Sequence, residues 1–534
     1  MTNLKRFLAG TLSLCMVGSM LTSCGNTSDS SSAADSKSDS SAAESTGSSD
    51  SGSDNSTGDG DNGSVSASGF STKADRVDTS TLHGTEPSEE SQNTINIYCW
   101  NTEFKSRVDK YYGDHSAFDV EYEDVKDENG NTVHQIKTID GKAVNWVQIE
   151  NEGNAYQTKL DDALSAQQTS DNKVDMFLVE ADYAMKYLDS DDGIGVALSI
   201  QDLGITEEDT AEMYQYTKDV AIDTTSGELK ALSWQATPGL FMYNAKIAKE
   251  VLGTDDPEEV QAAVADWDKF AETAAKMKEA GYAMVSGFDD TYRCFSNNVS
   301  SPWVDADGNL TVDPQIKAWV DQTKDFTDKG YNNQTSLWDT AWAAGQKIDG
   351  GVFGYFFSTW GIPFTLLPNT VDEAIKDDGS NAVEGNGGYG LWRACEGPQA
   401  YFWGGTWICG AIDSDNQDIV ADIMKVMTCN KDVAKAITNG EQDYTNNKAA
   451  IQEIIDDGYT NPFLGGQNHL ALLTEAADKI DLSNKISAYD QGCNEKFQAA
   501  MKDYFTGKTG SYEEALEAFK KSITALYGNL NCDF

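Results

Sequence analysis

The sequence predicts an α/β protein whose globular part divides into two lobes. Three observations carry that expectation. From about Ser91 to Phe534 the chain is too long to close around one hydrophobic core. Short apolar runs of strand length recur along it, and stretches with helical spacing lie between and after them. Helices that alternate with apolar strands are the pattern of an α/β architecture.

The first run, Ile95-Asn96-Ile97-Tyr98-Cys99-Trp100, reads as a core strand that ends at the polar turn Asn101-Thr102-Glu103. Val174 to Val179 is a second such run. Trp267, Phe270, Ala271, Ala274 and Met277 keep helical spacing, and Gly281 fits the stop position beyond a helix. Ile316, Trp319, Val320, Thr323 and Phe326 repeat that spacing before Gly330. A capping box, Ser511-x-x-Glu514, opens a last helix with Ala515, Leu516, Phe519, Ile523 and Leu526 on one face. No repeat of solenoid period is visible. The charged stretch between Phe118 and Trp146 has no place in this pattern and reads as an insertion.

The amino terminus carries an address. Lys5 and Arg6 precede an apolar run from Phe7 to Leu21, shorter than the about 20 residues a membrane span needs. This is the form of a signal peptide, residues 1–23. Leu21-Thr22-Ser23-Cys24 reads as a lipobox, as in bacterial lipoproteins, with Cys24 the lipidated (palmitate-type) residue. Two or three acyl chains at about 0.8 kcal/mol per buried CH₂ make a lasting anchor. From Cys24 to about residue 90 the chain is Ser, Asp, Gly, Ala and Thr with almost no large apolar residue, which cannot offset its ordering entropy. Such a stalk spans roughly 45 Å root-mean-square.

With 39 basic and 87 acidic residues the formal net charge is −48, which argues against nucleic acid and against docking on anionic lipid. The seven cysteines that follow Cys24 are odd in number and scattered, so they read as buried apolar residues and not as a disulfide framework. Four histidines, none paired at i,i+4, leave no zinc motif. Asp305-Ala306-Asp307-Gly308-Asn309 has its glycine in the wrong place for a calcium loop, and Val304 to Val312 reads as a hairpin turn. There is no phosphate-binding loop and no nucleophile elbow. Neither metal nor cofactor is expected.

Aromatic residues are abundant, with 12 Trp, 22 Tyr and 20 Phe, and many lie in glycine-rich, loop-like context. Trp338, Trp342 and Trp360 are examples, and Trp392-Arg393 precedes Gly397-Pro398-Gln399-Ala400-Tyr401-Phe402-Trp403-Gly404-Gly405-Thr406-Trp407. Aromatics on rigid loops suit the C–H faces of sugar rings, with carboxylates, amides and arginine around the edge for hydroxyls. For a single Trp, core packing is the commoner explanation; for the cluster from Tyr401 to Trp407, the breakers favour a platform. Beyond the signal peptide only Arg76, Arg107, Arg293 and Arg393 occur. Anionic ligands call for arginine forks, so this scarcity favours a neutral ligand. Asp289-Asp290 could pair as glycosidase carboxylates, but chain neighbours usually point apart, and hydroxyl binding or solvation is the stronger reading.

In order along the chain, these segments resemble the extracellular solute-binding proteins of ABC importers, in the carbohydrate-binding class that includes maltose-binding protein. Lipid-anchored sugar-binding proteins of Gram-positive gut-type bacteria are the nearest likeness. The similarity spans nearly all of residues 91–530. It rests on Ile95 to Phe104 as first strand and binding loop, and on Asp175-Met176-Phe177-Leu178-Val179-Glu180-Ala181-Asp182-Tyr183 as strand and turn. Leu232 to Asn244 resembles the segment that crosses between lobes, and Gly354 to Trp360 the strand that carries a sugar-stacking Trp. Gly397 to Trp407, Phe463-Leu464-Gly465-Gly466-Gln467-Asn468 and the closing helix complete it.

The resemblance implies a periplasmic-binding-protein-like fold, two α/β lobes joined by a hinge with the ligand cleft between. Lobe 1 would comprise 91–236 and 405–462, and lobe 2 would comprise 237–404 and 463–534. Trp100, Asn101 and Glu103 would line the cleft from lobe 1, with Asp182 and Gln235 near the hinge. Asp289, Asp290 and Arg293 would face them from lobe 2. Trp360 and Trp403 are the first candidates for stacking, followed by Trp392, Tyr401 and Trp407, and Gln467 and Asn468 are amide candidates. The implied function is non-enzymatic: capture of a carbohydrate, a neutral oligosaccharide, and delivery to ABC transporter permease subunits. The protein would be a monomer on the outer face of the cytoplasmic membrane, held there by its lipid alone. The alternatives are a same-fold binder of a peptide or an acidic sugar, or an exported glycoside hydrolase.

Overall fold

The computed structural model describes residues 86–127, 130–376 and 379–533. The expected signal peptide 1–23, Cys24 and the expected stalk 24–90 as far as residue 85 lie outside the described residues. In chain order the strands are β1 (Thr94–Cys99), β2 (Val120–Lys126), β3 (Thr132–Ile139), β4 (Lys142–Gln148), β5 (Met176–Glu180), β6 (Leu232–Ser233), β7 (Gly239–Asn244), β8 (Val285–Gly287), β9 (Asn332–Thr335), β10 (Gly354–Ser358), β11 (Trp392–Cys395) and β12 (Thr406–Gly410).

They form two main sheets and one short pair. The larger sheet runs β2-β3-β4-β1-β5-β12-β6. Its centre is parallel, β4 and β5 flanking β1, and its flanks are antiparallel. Four of the six β1 residues and four of the five β5 residues are buried, the near-continuous burial of strands covered on both faces. The smaller sheet, β10-β7-β11, is antiparallel, and all six β7 residues are buried. β8 and β9 pair in parallel beside it.

The helices follow the sequence rules that announced them. Trp267–Glu279 is capped by Asp266, whose carboxylate accepts from Lys269 N, and Gly281 beyond its end has φ +92°. Pro314–Lys329 opens with Pro at its first position and stops at Gly330, φ +67°. In Tyr512–Leu526 the Ser511 hydroxyl accepts from Glu514 N at 3.2 Å, and the Glu514 carboxylate reaches back to Gly510 N at 2.9 Å. Ala515, Phe519 and Ile523 are buried.

The charged stretch from Phe118 to Trp146 becomes β2, β3 and β4. Register runs from Val120 opposite Ile139 to Lys126 opposite Thr132, so an antiparallel hairpin extends the sheet at its edge. Its side chains are mostly exposed or half-buried, which explains why no core pattern marks it. Val304 and Leu310 bridge antiparallel around a turn in which Asp305 accepts from Asp307 N and Asn309 N, so that carboxylate serves the turn. The cysteines of the described residues are free, and all but Cys429 and Cys532 are buried. No helix of the described residues is long and apolar enough to cross a membrane.

Two segments join the sheets. Residues 234–238 lead from β6 to β7, and 396–405 lead from β11 to β12. They run antiparallel and bond to each other, Gly239 N to Tyr401 O at 2.8 Å and Trp403 N to Thr237 O at 3.0 Å.

Candidate functional site

The carboxyl ends of β1 and β5 meet the joining segments and the loops after β8, β9 and β10. In open α/β sheets, ligands bind beyond the carboxyl ends of the strands. The first rim of this seam is polar. Past β1, the half-buried Trp100 ring sits 5.6 Å from Tyr156 and 6.3 Å from Tyr183. The Asn101 side-chain oxygen Oδ1 accepts from Glu103 N at 3.0 Å, an Asx turn just before the helix Glu103–Tyr111. Glu103 accepts from the Gln235 amide at 2.9 Å. Burial, reinforced by Asp443, pushes the Glu103 carboxyl up to about 7.

Past β5, Glu180 accepts from Asp182 N at 2.8 Å through one oxygen. Its other oxygen lies beside the second joining segment: a Cβ placed on Gly404 would fall 3.8 Å from Glu180 Oε1 and 3.1 Å from Trp360 Nε1. Burial, with the neighbouring Asp182 charge, pushes Glu180 up to about 8. Asp182 pairs with both terminal nitrogens of Arg293, which arrives from the short helix after β8. Burial works against the Arg293 charge, but the Asp182 carboxylate outweighs it and keeps the guanidinium firmly protonated.

The opposite rim is aromatic. Trp360 follows β10 and donates its indole N–H to Trp403 O at 2.8 Å, which fixes the two rings edge to face at 4.8 Å. Trp338, in the loop after β9, lies 6.2 Å from Trp360 and 6.1 Å from Trp403. Phe364 closes the group at 5.8 Å from Trp338 and 6.0 Å from Trp360, and it is 48% exposed. The Arg293 guanidinium stands 6.0 Å over the Trp403 ring. Trp338 has φ +69°, whereas the other positive-φ residues that are not glycine are Asp, Asn or Gln. A bulky aromatic in the left-handed region is a strained conformation of the kind that clusters at functional sites.

The structure brings together Trp100, Asn101, Glu103, Asp182, Gln235, Arg293, Trp360 and Trp403 on or beside this seam. It also corrects several expectations. Trp392 is fully buried and donates to Thr370 Oγ1 at 3.0 Å. Tyr401 is fully buried beneath β7, its hydroxyl on Leu240 O at 3.1 Å, and Trp407 is a core residue of β12 bonded to Thr217 O at 2.8 Å. Rings with both faces packed cannot serve as platforms. Asp290 is structural: it accepts from Ser286 N and Gly287 N at 2.7 Å each and from Trp342 Nε1 at 2.8 Å. Asp289 points elsewhere and accepts from Leu337 N at 3.3 Å, bracing the loop that carries Trp338. Burial raises it to about 6. The Gln467 amide is spent on Ala394, accepting from its N and donating to its O, so it splices a loop to β11. Asn468 has a buried side-chain oxygen with no protein partner.

The sequence candidates left out Glu180, Phe364 and Trp338, the last named only among the aromatics in loop-like context. Glu180 stood inside a quoted motif, and its signal was a carboxylate at the last position of a buried strand. For Trp338 no sequence signal announces its positive φ.

The sequence model of bacterial extracellular solute-binding proteins matches residues 136–462. A search of curated protein sequences returned no match. Solved structures share the fold. An extracellular solute-binding protein of family 1 aligns with TM-score 0.62 at 15% identity, over 80% of this chain and 99% of its own. The galacto-N-biose/lacto-N-biose I-binding protein of a Bifidobacterium longum ABC transporter, solved with lacto-N-biose, aligns with TM-score 0.56 at 13% identity, over 82% and 98%. The GacH receptor of Streptomyces glaucescens, solved unliganded and with acarbose, aligns with TM-score 0.55 at 14% identity, over 82% and 99%.

Proposed function

The chain belongs to the family of bacterial extracellular solute-binding proteins, and on that premise we propose that it captures a neutral oligosaccharide for an ABC transporter permease. One observation carries the sugar reading: a rim of carboxylates and amides faces a rim of half-exposed indoles across one seam. A sugar ring has the matching two surfaces, hydroxyls at its edge and C–H groups on its face. The spread from Trp403 to the exposed Phe364 favours more than one ring.

Neutrality follows from the arginines. Among the described residues Arg107 is engaged with Asp443, Arg293 with Asp182, and Arg393 with the carbonyls of Gly390 and Trp392. An anionic ligand would have to win a fork from a partner that already holds it. We assign the lobes to 91–236 with 405–462 and to 237–404 with 463–534, and we take the protein to act as a monomer, anchored by lipid at Cys24 on the outer face of the cytoplasmic membrane. A ~65-residue tether would hold the receptor near its permease and raise the local concentration.

A thermal-shift panel of mono- and oligosaccharides, uronates and peptides tests the reading. A ligand that binds only the folded state stabilises it by about 2.7 kcal/mol at 100 times its Kd. A shift with neutral oligosaccharides is expected. A shift with peptides or uronates alone would replace the sugar reading, and release of new reducing ends would indicate a hydrolase.

A further inference from the structure

Trp338 holds its place in the aromatic rim against its own backbone. It is the third residue of the turn Ser336–Asp339, closed by Asp339 N on Ser336 O at 3.1 Å, and its φ of +69° is one that turns usually give to glycine. Strain of this kind persists only where the surroundings over-determine it. Here they do, because the residues around Trp338 are held. Leu337 N donates to Asp289 Oδ2 at 3.3 Å. Ser336 N donates to Asp339 Oδ2 at 3.0 Å, and the Ser336 hydroxyl accepts from the Lys502 ammonium, on the helix Asp490–Phe505. Burial works against the Asp289 charge, and the Lys502 ammonium favours it. Asp289 is itself fixed, since the turn after β8 is tied to β9: Phe288 N donates to Thr335 O at 3.0 Å, and a Cβ on Gly287 would fall 2.7 Å from the same oxygen. The next residue, Asp290, takes the indole N–H of Trp342, whose ring meets Trp338 edge to face at 5.3 Å.

We propose that Asp289 and Lys502 are positioning residues: from two different elements they hold the strained turn that presents Trp338 to a sugar ring beside Trp360 and Trp403. The proposal rests on the reading of this seam as an oligosaccharide site, and it gives Asp289 a role that needs no contact with the sugar. The Trp338 ring meets its neighbours through their rings, at 6.2 Å from Trp360, 6.1 Å from Trp403 and 5.8 Å from Phe364. Ring contacts tolerate a range of angles, so they do not by themselves fix a backbone at positive φ. The hydrogen bonds from Asp289 and Lys502 do, because they act on the two residues that precede Trp338. Without them the turn relaxes toward negative φ and the indole swings out of the rim. A platform held ready in this way spares the sugar the cost of ordering it on binding.

The test is fluorine NMR on the full mature chain made with 5-fluorotryptophan. All 12 tryptophans lie beyond the expected signal peptide, and Trp338→Ala identifies the Trp338 resonance. Without added sugar, Asp289→Ala and Lys502→Met should each displace or split that resonance and leave those of the core residues Trp234 and Trp319 in place. Asp289→Asn keeps an oxygen that can accept from Leu337 N, so it should return the resonance close to its original position. Maltotriose, cellotriose and xylotriose are then titrated as neutral probes. A probe that binds should move the Trp338 resonance and lose about tenfold in affinity in Asp289→Ala, but lose nothing further when Asp289→Ala is added to Trp338→Ala. Probes that move no indole resonance, while Asp289→Ala still displaces Trp338, would count against the sugar reading and leave the brace standing. A Trp338 resonance that stays in place in the folded variants would overturn the brace, and should one variant be unfolded, the other decides. A displaced resonance with unchanged affinity for a bound probe would overturn the positioning role.

Discussion

The two rims of the seam are built from opposite chemistry. On the larger sheet, the ends of β1 and β5 present Asn101, Glu103, Glu180 and Asp182, each already holding one hydrogen bond or ion pair. On the smaller sheet and its loops, Trp338, Trp360, Trp403 and Phe364 present rings to one another, with a single indole N–H bond between Trp360 and Trp403. The difference teaches how one cleft can be selective and still open. In the proposed cleft, polar groups on one side would read position and direction, while the apolar side would supply area with little directional demand. A second contrast lies within the tryptophans. Trp234, Trp319, Trp342, Trp392 and Trp407 are fully buried, whereas Trp100, Trp338, Trp360 and Trp403 are not. The first group belongs to the core, and the second is the set proposed for binding.

That division can be broken by substitution. Trp392→Ala should cost about 3–5 kcal/mol of folding stability, from the lost burial and the cavity left behind. Urea unfolding with an unchanged midpoint would place Trp392 outside the core. Trp360→Ala should leave stability much less affected and weaken sugar binding by roughly 1–3 kcal/mol, as loss of a partly desolvated aromatic platform does. Calorimetry that finds equal affinity in the folded variant would remove Trp360 from the site. Gly404→Ala should cost about 1–2 kcal/mol, since the residue has φ +73° and the new methyl would press on Trp360 Nε1 at 3.1 Å. Its unfolding midpoint and its affinity should fall together.

The pH dependence of the polar rim probes the same comparison without substitution. Burial raises Glu180 to about 8 and Glu103 to about 7. In the unfolded chain such carboxyls ionise near pH 4. Between about pH 5 and 8 the unfolded chain has lost protons that the folded one keeps, so stability should fall as pH rises through that window. Glu180→Gln should flatten the upper end of the decline. A melting temperature that climbs from pH 5 to 8 would contradict the buried carboxyls.

How far the sequence could be read depended on whether a feature is local. The helix Tyr512–Leu526 was legible because Ser511 and Glu514 satisfy each other's neighbourhood within one turn. β1 and β5 were legible because their burial is continuous. Trp360 and Trp403 were recognisable from loop context, yet Trp392, Tyr401 and Trp407, in the same kind of context, turned inward. The choice was made by sheet register: Trp392 sits opposite Asn244 and Trp407 opposite Val179, and residues far away in sequence decide which face is covered. The strand pairing of residues 118–148 was illegible because an exposed hairpin carries no apolar alternation.

The most direct measurement is hydrogen exchange of the full mature chain with and without a saturating neutral oligosaccharide. The account predicts slowed exchange on both rims together, at residues 99–104 and 180–184 on one side and at 336–340, 358–364 and 401–406 on the other. Protection confined to one rim, or lying away from this seam, would contradict it.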